Sequence, residues 1–322
     1  MTKSTDSSKT SEGPMLPEVL MHLHRPNEPG IGVVTRTEWC TSRKPASFVR
    51  HVEIDVSQTK LAGHFRAGQS FGVLPPGSNE KGRPHKLRLY SISSPTCGED
   101  GQGQVLSTTV KRVIEEHWDT HKLFLGVASN YLCDLQVGDE VKVTGPNGKR
   151  FLLPENHSDY NYLFFAAGTG IAPFRGMIAD LYSDSKPQSA TLTMGVSYAT
   201  DLLYDDHFRA MEEAHAEFTY LTAISRERQA DTDQHLYAQS RLDTHRDYFV
   251  DLLSKENTLV YVCGLVSMEI GIFKQLTRIL PPEIREQYLK VDPEVLGSVD
   301  SWTKDMINRQ LHPTRRMFLE VY

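Results

Sequence analysis

The sequence predicts two structural units, an N-terminal antiparallel β-barrel followed by a doubly wound parallel α/β sheet. Two patterns of predicted secondary structure along the 322-residue chain indicate this order of domains. The first half has short β-branched and apolar segments separated by Pro- and Gly-rich turns, as in antiparallel barrels. From about Asp159, strand-like segments alternate with helical ones, as in a parallel sheet covered by helices. The length is sufficient for two domains of ordinary size.

Six strands are predicted in the first half, where turns such as Pro75-Pro76-Gly77 divide the apolar segments. They are Ile31–Trp39, Ser47–Val56, Phe71–Leu74, Leu87–Ser93, Val105–Ile114 and Val141–Thr144. Five strands are predicted in the second half, at Tyr162–Ala167, Ala190–Val196, Phe218–Ile224, Thr258–Val262 and Met317–Val321. The predicted helices include Phe174–Leu181, Leu202–Ala214, Ser267–Leu280 and Trp302–Leu311.

The domain boundary is predicted within the polar stretch Leu153–Asn161. We therefore expect a disordered or irregular tail over residues 1–28, a first domain over 29–154 and a second over 155–322. The Ser- and Thr-rich start of the chain contains Asp6 and Glu12 but neither arginine nor an apolar core. That composition disfavours a secretory or organelle-targeting segment and favours a cytoplasmic protein.

Composition excludes several classes of protein. Hydrophobic residues make up 39% of the chain and charged residues 24%, as in soluble globular proteins. The four cysteines form no C-x-x-C pair, so neither a zinc site nor an iron–sulfur cluster is indicated.

The two halves of the chain differ in charge. Residues 1–154 carry 19 Lys and Arg against 16 Asp and Glu, whereas residues 155–322 carry 16 Lys and Arg against 25 Asp and Glu. The basic half could face an acidic partner, and a random scatter of surface charge is the alternative.

The segment Arg88–Pro95 reads as a strand end with an unusual polar face. Arg88 could bind a pyrophosphate, Tyr90 could pack on an aromatic ring, and the hydroxyl of Ser91 could approach a reactive edge. A flavin needs this combination of groups. An edge strand with a solvated face is the alternative for the segment alone.

A second candidate segment is Gly126–Leu132. Gly126 permits close backbone approach, and Ser129 with the following amides could hold a phosphate at a helix N-terminus. A helix cap without a ligand is the alternative.

Gly168 and Gly170 follow the predicted strand Tyr162–Ala167 and open a helix, which is the context of a dinucleotide site. Pro173 stands in place of the third glycine of the usual fingerprint and suits a first helical turn.

Ser225 and Arg226 end the strand Phe218–Ile224, where an NADP site needs a cation for the 2′-phosphate. A guanidinium with nearby aromatic and amide groups suits phosphate and adenine, and a solvated basic loop is the alternative. The following residues of the cluster are Arg228, Tyr237, Gln239 and Arg241.

In this order, and together with Val262–Leu265 and the terminal Glu320-Val321-Tyr322, these motifs resemble the plant-type ferredoxin–NADP(+) reductases. The resemblance runs from about Gly32 to the last residue. It implies an enzyme that contains FAD, exchanges a hydride with NADP(H), and exchanges single electrons with ferredoxin or flavodoxin. An NADPH-dependent reductase component of an oxygenase system is one alternative, and a redox-silent flavin-binding module is another.

The resemblance also implies roles for individual residues. The FAD site would comprise Arg88, Leu89, Tyr90, Ser91, Lys111, Gly126, Val127, Ala128, Ser129 and Tyr322. The NADP(H) site would comprise Thr169, Gly170, Ser225, Arg226, Tyr237, Gln239, Gly264, Leu265 and Glu269. The catalytic residues would be Ser91, Cys263, Glu320 and Tyr322.

Two further expectations concern the surroundings of the flavin. The family usually has a tyrosine against the flavin adenine, where this chain has Ile114–Trp118, and Trp118 is the candidate substitute. Lys81, Arg83 and Lys86, just before the flavin strand, are candidates for binding an acidic electron carrier.

Overall fold

The computed structural model describes residues 13–41, 44–183 and 187–321. In these ranges the chain forms two large sheets with helices packed mainly around the second. No helix in the described ranges is long and apolar enough to span a bilayer.

The first sheet has six strands in the order β4-β3-β8-β1-β2-β5, and every pair is antiparallel. They are β1 (Gly30–Trp39), β2 (Val49–Asp55), β3 (Ser70–Val73), β4 (Arg88–Ser91), β5 (Val105–Lys111) and β8 (Glu140–Asn147). Between β5 and β8 lie the hairpin strands β6 (Ile114–Glu116) and β7 (Leu123–Leu125) and helix α1 (Val127–Asp134).

The two edge strands of this sheet meet and close it into a barrel. Ile92, just after β4, forms a bridge to Thr108 on β5. The Thr108 hydroxyl donates to the Ser91 carbonyl at 2.9 Å, and the Ser93 amide donates to the Ser107 carbonyl at 2.8 Å. Closure removes the exposed strand edges that would otherwise invite mispairing.

The second sheet has five parallel strands in the order β11-β10-β9-β12-β15. They are β9 (Asn161–Ala167), β10 (Ser189–Val196), β11 (Phe218–Ile224), β12 (Thr258–Gly264) and β15 (Met317–Val321). The short strands β13 (Leu289–Val291) and β14 (Leu311–Pro313) form a separate antiparallel pair. The helices are α2 (Ile171–Ser183), α3 (Asp205–Ala214), α4 (Arg241–Thr244), α5 (Arg246–Leu253), α6 (Val266–Ile279), α7 (Pro282–Arg285) and α8 (Pro293–Leu296).

Both faces of the parallel sheet are buried. Along β9, Tyr162 and Phe164 belong to one hydrophobic cluster, and Leu163 and Phe165 belong to another. Successive side chains of a strand point to opposite faces, so the two clusters lie on the two sides of the sheet. This arrangement confirms the predicted fold class of an antiparallel barrel and a doubly wound parallel sheet.

Two expectations about individual elements need correction, and one helix was not predicted. The predicted helix Trp302–Leu311 is wrong, because this stretch has only a short 3-10 turn at Lys304–Met306 and then enters β14. Asn308 has φ of 61°, which no α-helix accommodates. The predicted strand Val105–Ile114 ends at Lys111, and Ile114 begins a separate hairpin. Helix α5 had no counterpart among the predicted elements.

The barrel and the parallel sheet are joined by close contacts of helix α2. Asp180 accepts hydrogen bonds from the Thr96 amide at 2.8 Å and the Thr96 hydroxyl at 2.6 Å. A Cβ on Gly176 would lie 2.1 Å from the Ser94 carbonyl oxygen, so only glycine fits there. The two units therefore meet along a packed interface, and the functional cavity opens beside it.

Candidate active site

A cavity of about 660 Å³ lies between the barrel and the carboxyl edge of the parallel sheet. Open α/β sheets usually bind ligands at this edge. Ser47, Val49 and Lys111 line it from the barrel side. The structure thus brings Lys111 together with six predicted residues of the dinucleotide site. Those six are Thr169, Ser225, Arg226, Tyr237, Gln239 and Leu265.

The turn between β9 and α2 packs directly on the end of β12. A Cβ on Gly170 would lie 2.1 Å from the Cys263 carbonyl oxygen, which explains the glycine. Gly264 has φ of 137° and packs against Ala167. Gly170 and Gly264 therefore shape the backbone, and neither lines the cavity.

Among the predicted arginines, Arg226 differs from its neighbours in its pairing. Arg228 pairs with Asp233 at 2.8 Å, and buried Arg241 pairs with Asp231. Arg226 is exposed and pairs with no carboxylate in the described ranges. Its charge is therefore available to an anion.

Tyr198 contacts the Arg226 guanidinium, which the sequence did not indicate. The Tyr198 hydroxyl accepts a hydrogen bond from Nη1 at 3.3 Å, and the ring centroid is 5.7 Å from the guanidinium carbon. The Arg226 amide donates to the Ser197 carbonyl at 2.9 Å. Tyr237 projects into solvent nearby with 63% exposure and offers a free aromatic face.

A buried acidic pair lies at the end of β12 and β15. Cys263 and Glu320 are register partners on these parallel strands. Burial raises the pKa of the Cys263 thiol, and the Glu320 charge raises it further, so Cys263 is a protonated thiol. Burial also raises the pKa of Glu320 to about 7. One oxygen of Glu320, Oε2, is buried and has no hydrogen-bond partner among the described residues, and such an atom favours a ligand that supplies one.

Two other predicted residues stand apart from this pair. Glu269 is buried near the start of α6 rather than in the cavity lining, and burial raises its pKa to about 7. Tyr322 lies outside the described residues.

The predicted flavin strand is β4, an edge strand of the sheet. Tyr90 pairs with Phe71 and packs on the barrel core, and burial raises the pKa of its phenol. Ser91 pairs with Ser70 at the other end of the strand. Arg88 and Leu89 are exposed, and Leu89 is 56% accessible. A half-covered aromatic beside an exposed guanidinium fits an aromatic ring system that carries phosphates.

The start of helix α1 offers backbone donors near this strand. Ser129 does not offer its hydroxyl outward, because the hydroxyl donates to the Gly126 carbonyl at 3.1 Å and accepts from the Val113 amide at 3.2 Å. The first amides of a helix have no partner within it, so those of Val127, Ala128 and Ser129 remain for an anion. A Cβ on Gly126 would come 2.6 Å from the Ser129 hydroxyl oxygen, which explains the glycine.

An exposed apolar hairpin, formed by β6 and β7, precedes α1 and was not predicted. Phe124 is 61% exposed and pairs across the hairpin with Glu115. Trp118, the predicted adenine contact, is 85% exposed near the tip and stacks on His117 with centroids 6.4 Å apart. The other exposed apolar residues here are Ile114, Leu123 and Leu125. A surface of this kind favours a covering group.

Comparison with known proteins agrees with the resemblance that the sequence motifs indicate. The family described as "Oxidoreductase NAD-binding domain" matches residues 164–273. The chain is 38% identical over 266 residues to a ferredoxin–NADP reductase of Thermosynechococcus vestitus, covering 81% of this chain and 68% of that protein. It is 38% identical over 276 residues to the chloroplastic leaf isozyme 1 of Oryza sativa subsp. indica, covering 84% of this chain and 74% of that one.

A solved structure has the same fold. A mutant of the Plasmodium falciparum ferredoxin–NADP+ reductase in complex with 2′P-AMP superimposes with a TM-score of 0.67 at 20% identity. The match covers 83% of this chain and 97% of that one.

Proposed function

The chain belongs to the ferredoxin–NADP reductase family, and on that premise we propose that it is an FAD-containing oxidoreductase. It exchanges a hydride with NADP(H) and single electrons with ferredoxin or flavodoxin. The observation that carries the proposal is the cavity between barrel and parallel sheet, whose lining includes Arg226, an arginine that pairs with no carboxylate among the described residues. The relatives described above are named ferredoxin–NADP reductases, so the oxygenase-component alternative is not favoured.

The proposed FAD site lies in the barrel domain, residues 29–154. Tyr90 packs on the isoalloxazine ring, and Arg88 and the first amides of α1 hold the pyrophosphate. Leu89, Ser91, Lys111, Gly126 and Ser129 complete this site. FAD supplies the chemistry that converts a two-electron transfer into single-electron transfers.

The proposed NADP(H) site lies in the second domain, residues 155–322. Arg226 and Ser225 bind the 2′-phosphate, Tyr237 packs on adenine, and Thr169 and the α2 amides approach the pyrophosphate. Gln239 and Leu265 complete the lining of the site, and Gly170 and Gly264 give it shape. The family resemblance also assigns Glu269 to this site, although its side chain is buried near the start of α6.

The proposed catalytic residues orient the reacting rings. The Ser91 hydroxyl donates to the flavin edge where the hydride arrives, Cys263 shapes the nicotinamide pocket, and Glu320 holds a proton near it. The family resemblance assigns Tyr322 to the opposite face of the flavin, where nicotinamide must displace it.

The proposed electron carrier is an acidic protein that docks beside β4. Lys81, Arg83 and Lys86 are all exposed on the loop between β3 and β4. Opposite charge speeds encounter between proteins, and salt screens this effect. A cytoplasmic location is part of the same proposal.

Purified protein provides the direct test. It should carry FAD, lose its yellow colour on anaerobic addition of NADPH, and then reduce ferredoxin. Absence of flavin, or flavin that NADPH leaves oxidised, would contradict the proposal. NADH at the same concentration is the control for coenzyme choice.

A further inference from the structure

One wall of the coenzyme cavity is a strap, residues 197–204, that connects β10 to α3. Ser197, Asp201 and Leu203 of the strap line the cavity. The barrel residues Val49 and Lys111 line it from across the domain interface. The width of the cavity therefore depends on how the strap is fixed to the barrel.

The strap ends in Tyr204, whose side chain inserts into the barrel interface. Its hydroxyl lies 2.9 Å from Nδ1 of His51, 2.6 Å from the hydroxyl of Thr109, and 3.5 Å from the thiol of Cys40, which donates to it. The Arg175 guanidinium carbon lies 5.3 Å from the Tyr204 ring centroid. Four groups from separate parts of the chain thus converge on one side chain.

Backbone contacts anchor the same strap at two more points. The Tyr204 amide donates to the Cys40 carbonyl at 2.8 Å, and the Ser47 amide donates to Oδ1 of Asp201 at 2.8 Å. Tyr204 has φ of 56°, in the left-handed region that costs a non-glycine residue of order 1 kcal/mol or more. A conformation of that cost persists because the surrounding contacts hold it.

Charged side chains surround the histidine that contacts Tyr204. His51 is 1% exposed, and its Nε2 lies 3.5 Å from Glu53 and 3.7 Å from Glu99. Glu99 itself is bound by Arg175 and by Ser107. Nδ1, on the other side of the same ring, lies against the Tyr204 hydroxyl. The burial that raises the pKa of Tyr204 keeps that hydroxyl protonated.

We propose that Tyr204 is a positioning residue for NADP(H), which fixes the strap to the barrel and thereby sets the width of the coenzyme cavity. It does not line the cavity itself. The proposal rests on the proposed function, because it assumes that NADP(H) occupies this cavity. Loss of the Tyr204 hydroxyl should loosen the end of the strap that is fixed to the barrel, around Asp201 and Leu203, and so widen the cavity between the domains. The other end of the strap, where the Arg226 amide donates to the Ser197 carbonyl at 2.9 Å, should stay in place and leave the 2′-phosphate pocket intact.

The test compares whole NADP⁺ with its adenosine half, adenosine 2′,5′-bisphosphate, in Tyr204→Phe protein that carries FAD. We expect NADP⁺ to bind about fivefold to tenfold more weakly and the fragment to bind within about twofold of normal. The KM for NADPH should rise by a similar factor, with kcat at saturating NADPH changed less than about twofold. A merely structural defect would weaken both ligands together or lower the FAD content.

Tyr288→Phe is the matched control. Tyr288 is a buried tyrosine of the same domain whose hydroxyl donates to the Leu253 carbonyl at 2.9 Å, and it does not line the cavity. It should leave both ligands unaffected. If Tyr204→Phe does not fold, Thr109→Val removes one partner of the same hydroxyl and should weaken NADP⁺ alone, by about twofold to threefold.

Two results would overturn the proposal: unchanged NADP⁺ affinity in folded Tyr204→Phe and Thr109→Val, or equal weakening of NADP⁺ and the fragment. Failure of the proposed function would look different, because unmodified protein would then lack FAD or fail to bind NADP⁺.

Discussion

Cys263 and Glu320 are register partners on the adjacent parallel strands β12 and β15, and Glu320 has a buried oxygen with no hydrogen-bond partner in the part of the chain that the structure describes. A carboxyl group in that position is costly when ionised, which is why burial raises its pKa to about 7. Glu320 therefore gains and loses its proton near physiological pH. Cys263, with a pKa raised well above its ordinary value, remains a thiol over the same range.

The first prediction concerns Glu320→Gln and the pH dependence of flavin reduction. Hydride transfer adds negative charge to the bound FAD, and an ionised carboxylate nearby opposes it. The rate of FAD reduction by saturating NADPH should therefore fall several-fold from pH 6 to pH 8 in the unmodified protein. Glu320→Gln resembles the protonated residue, so its rate should stay near the acid-side value throughout. Anaerobic stopped-flow measurements check this, and an identical pH slope in both proteins would exclude Glu320 as the titrating group.

The second prediction uses the difference in pairing between two neighbouring arginines. Arg226→Gln removes a guanidinium that pairs with no carboxylate in the described ranges, so NADPH should bind about tenfold more weakly. NADH lacks the 2′-phosphate and should change little. Arg228→Gln is the matched control, because Arg228 is already paired with Asp233. Steady-state kinetics with both coenzymes provide the measurement. An equal loss with NADH, or the larger loss in Arg228→Gln, would place the phosphate elsewhere.

The fold could be predicted where local pattern and tertiary role agree. Strands β9 and β12 are almost continuously apolar because both faces of the parallel sheet are buried, and all five strands of this sheet were predicted from the sequence. The prediction of a helix at Trp302–Leu311 was wrong because the apolar residues there pack individually and do not form one face of a helix. Trp302, for example, is buried with its indole N–H donating to the Val295 carbonyl at 3.0 Å, in a stretch without helical structure. The hairpin β6–β7 was missed because a strand of three residues is too short for its alternating pattern to be recognised.

The residue types of the candidate site could be predicted from the sequence, but the contacts between those residues could not. Arg226, Arg228 and Arg241 looked alike in sequence, and only the structure shows that Asp233 and Asp231 pair with two of them. The contact between His51 and Tyr204 joins residues 153 positions apart and has no local signal. Roles that depend on such long-range contacts need the three-dimensional structure.

The third prediction concerns stability and the buried carboxyl group of Glu269. Burial raises its folded-state pKa from 4.5 to about 7, so the folded state binds the proton more tightly than the unfolded state. The tighter binding of this proton stabilises the folded state. The stabilisation is fully present below about pH 4.5 and is lost as pH rises through about 7. Glu269→Gln removes the loss and should stabilise the FAD-loaded protein by about 1–3 kcal/mol at pH 8, and by much less at pH 5.

Urea unfolding of the FAD-loaded protein at the two pH values checks this prediction. Glu283→Gln, at an exposed position of α7, is the control and should shift stability equally at both. A gain from Glu269→Gln that is the same at pH 5 and pH 8 would show that ionisation of Glu269 does not oppose folding.

The last prediction concerns the contact between the turn after β9 and the end of β12. A methyl group on Gly170 would lie 2.1 Å from the Cys263 carbonyl oxygen and 2.9 Å from the Gly264 Cα. Both neighbours are backbone atoms of a buried strand and cannot rotate away, so Gly170→Ala must push the turn from β12. Overpacking of this kind costs about 1–3 kcal/mol or more.

Gly297→Ala is the control, because a Cβ there meets nothing within 4 Å and its φ of −74° suits alanine. Chemical unfolding should show a lower midpoint for Gly170→Ala alone, and the displaced turn should also weaken NADP⁺ binding. Equal stability of the two variants would mean that the turn can move away from β12 at no cost, and the close packing would then not explain the glycine.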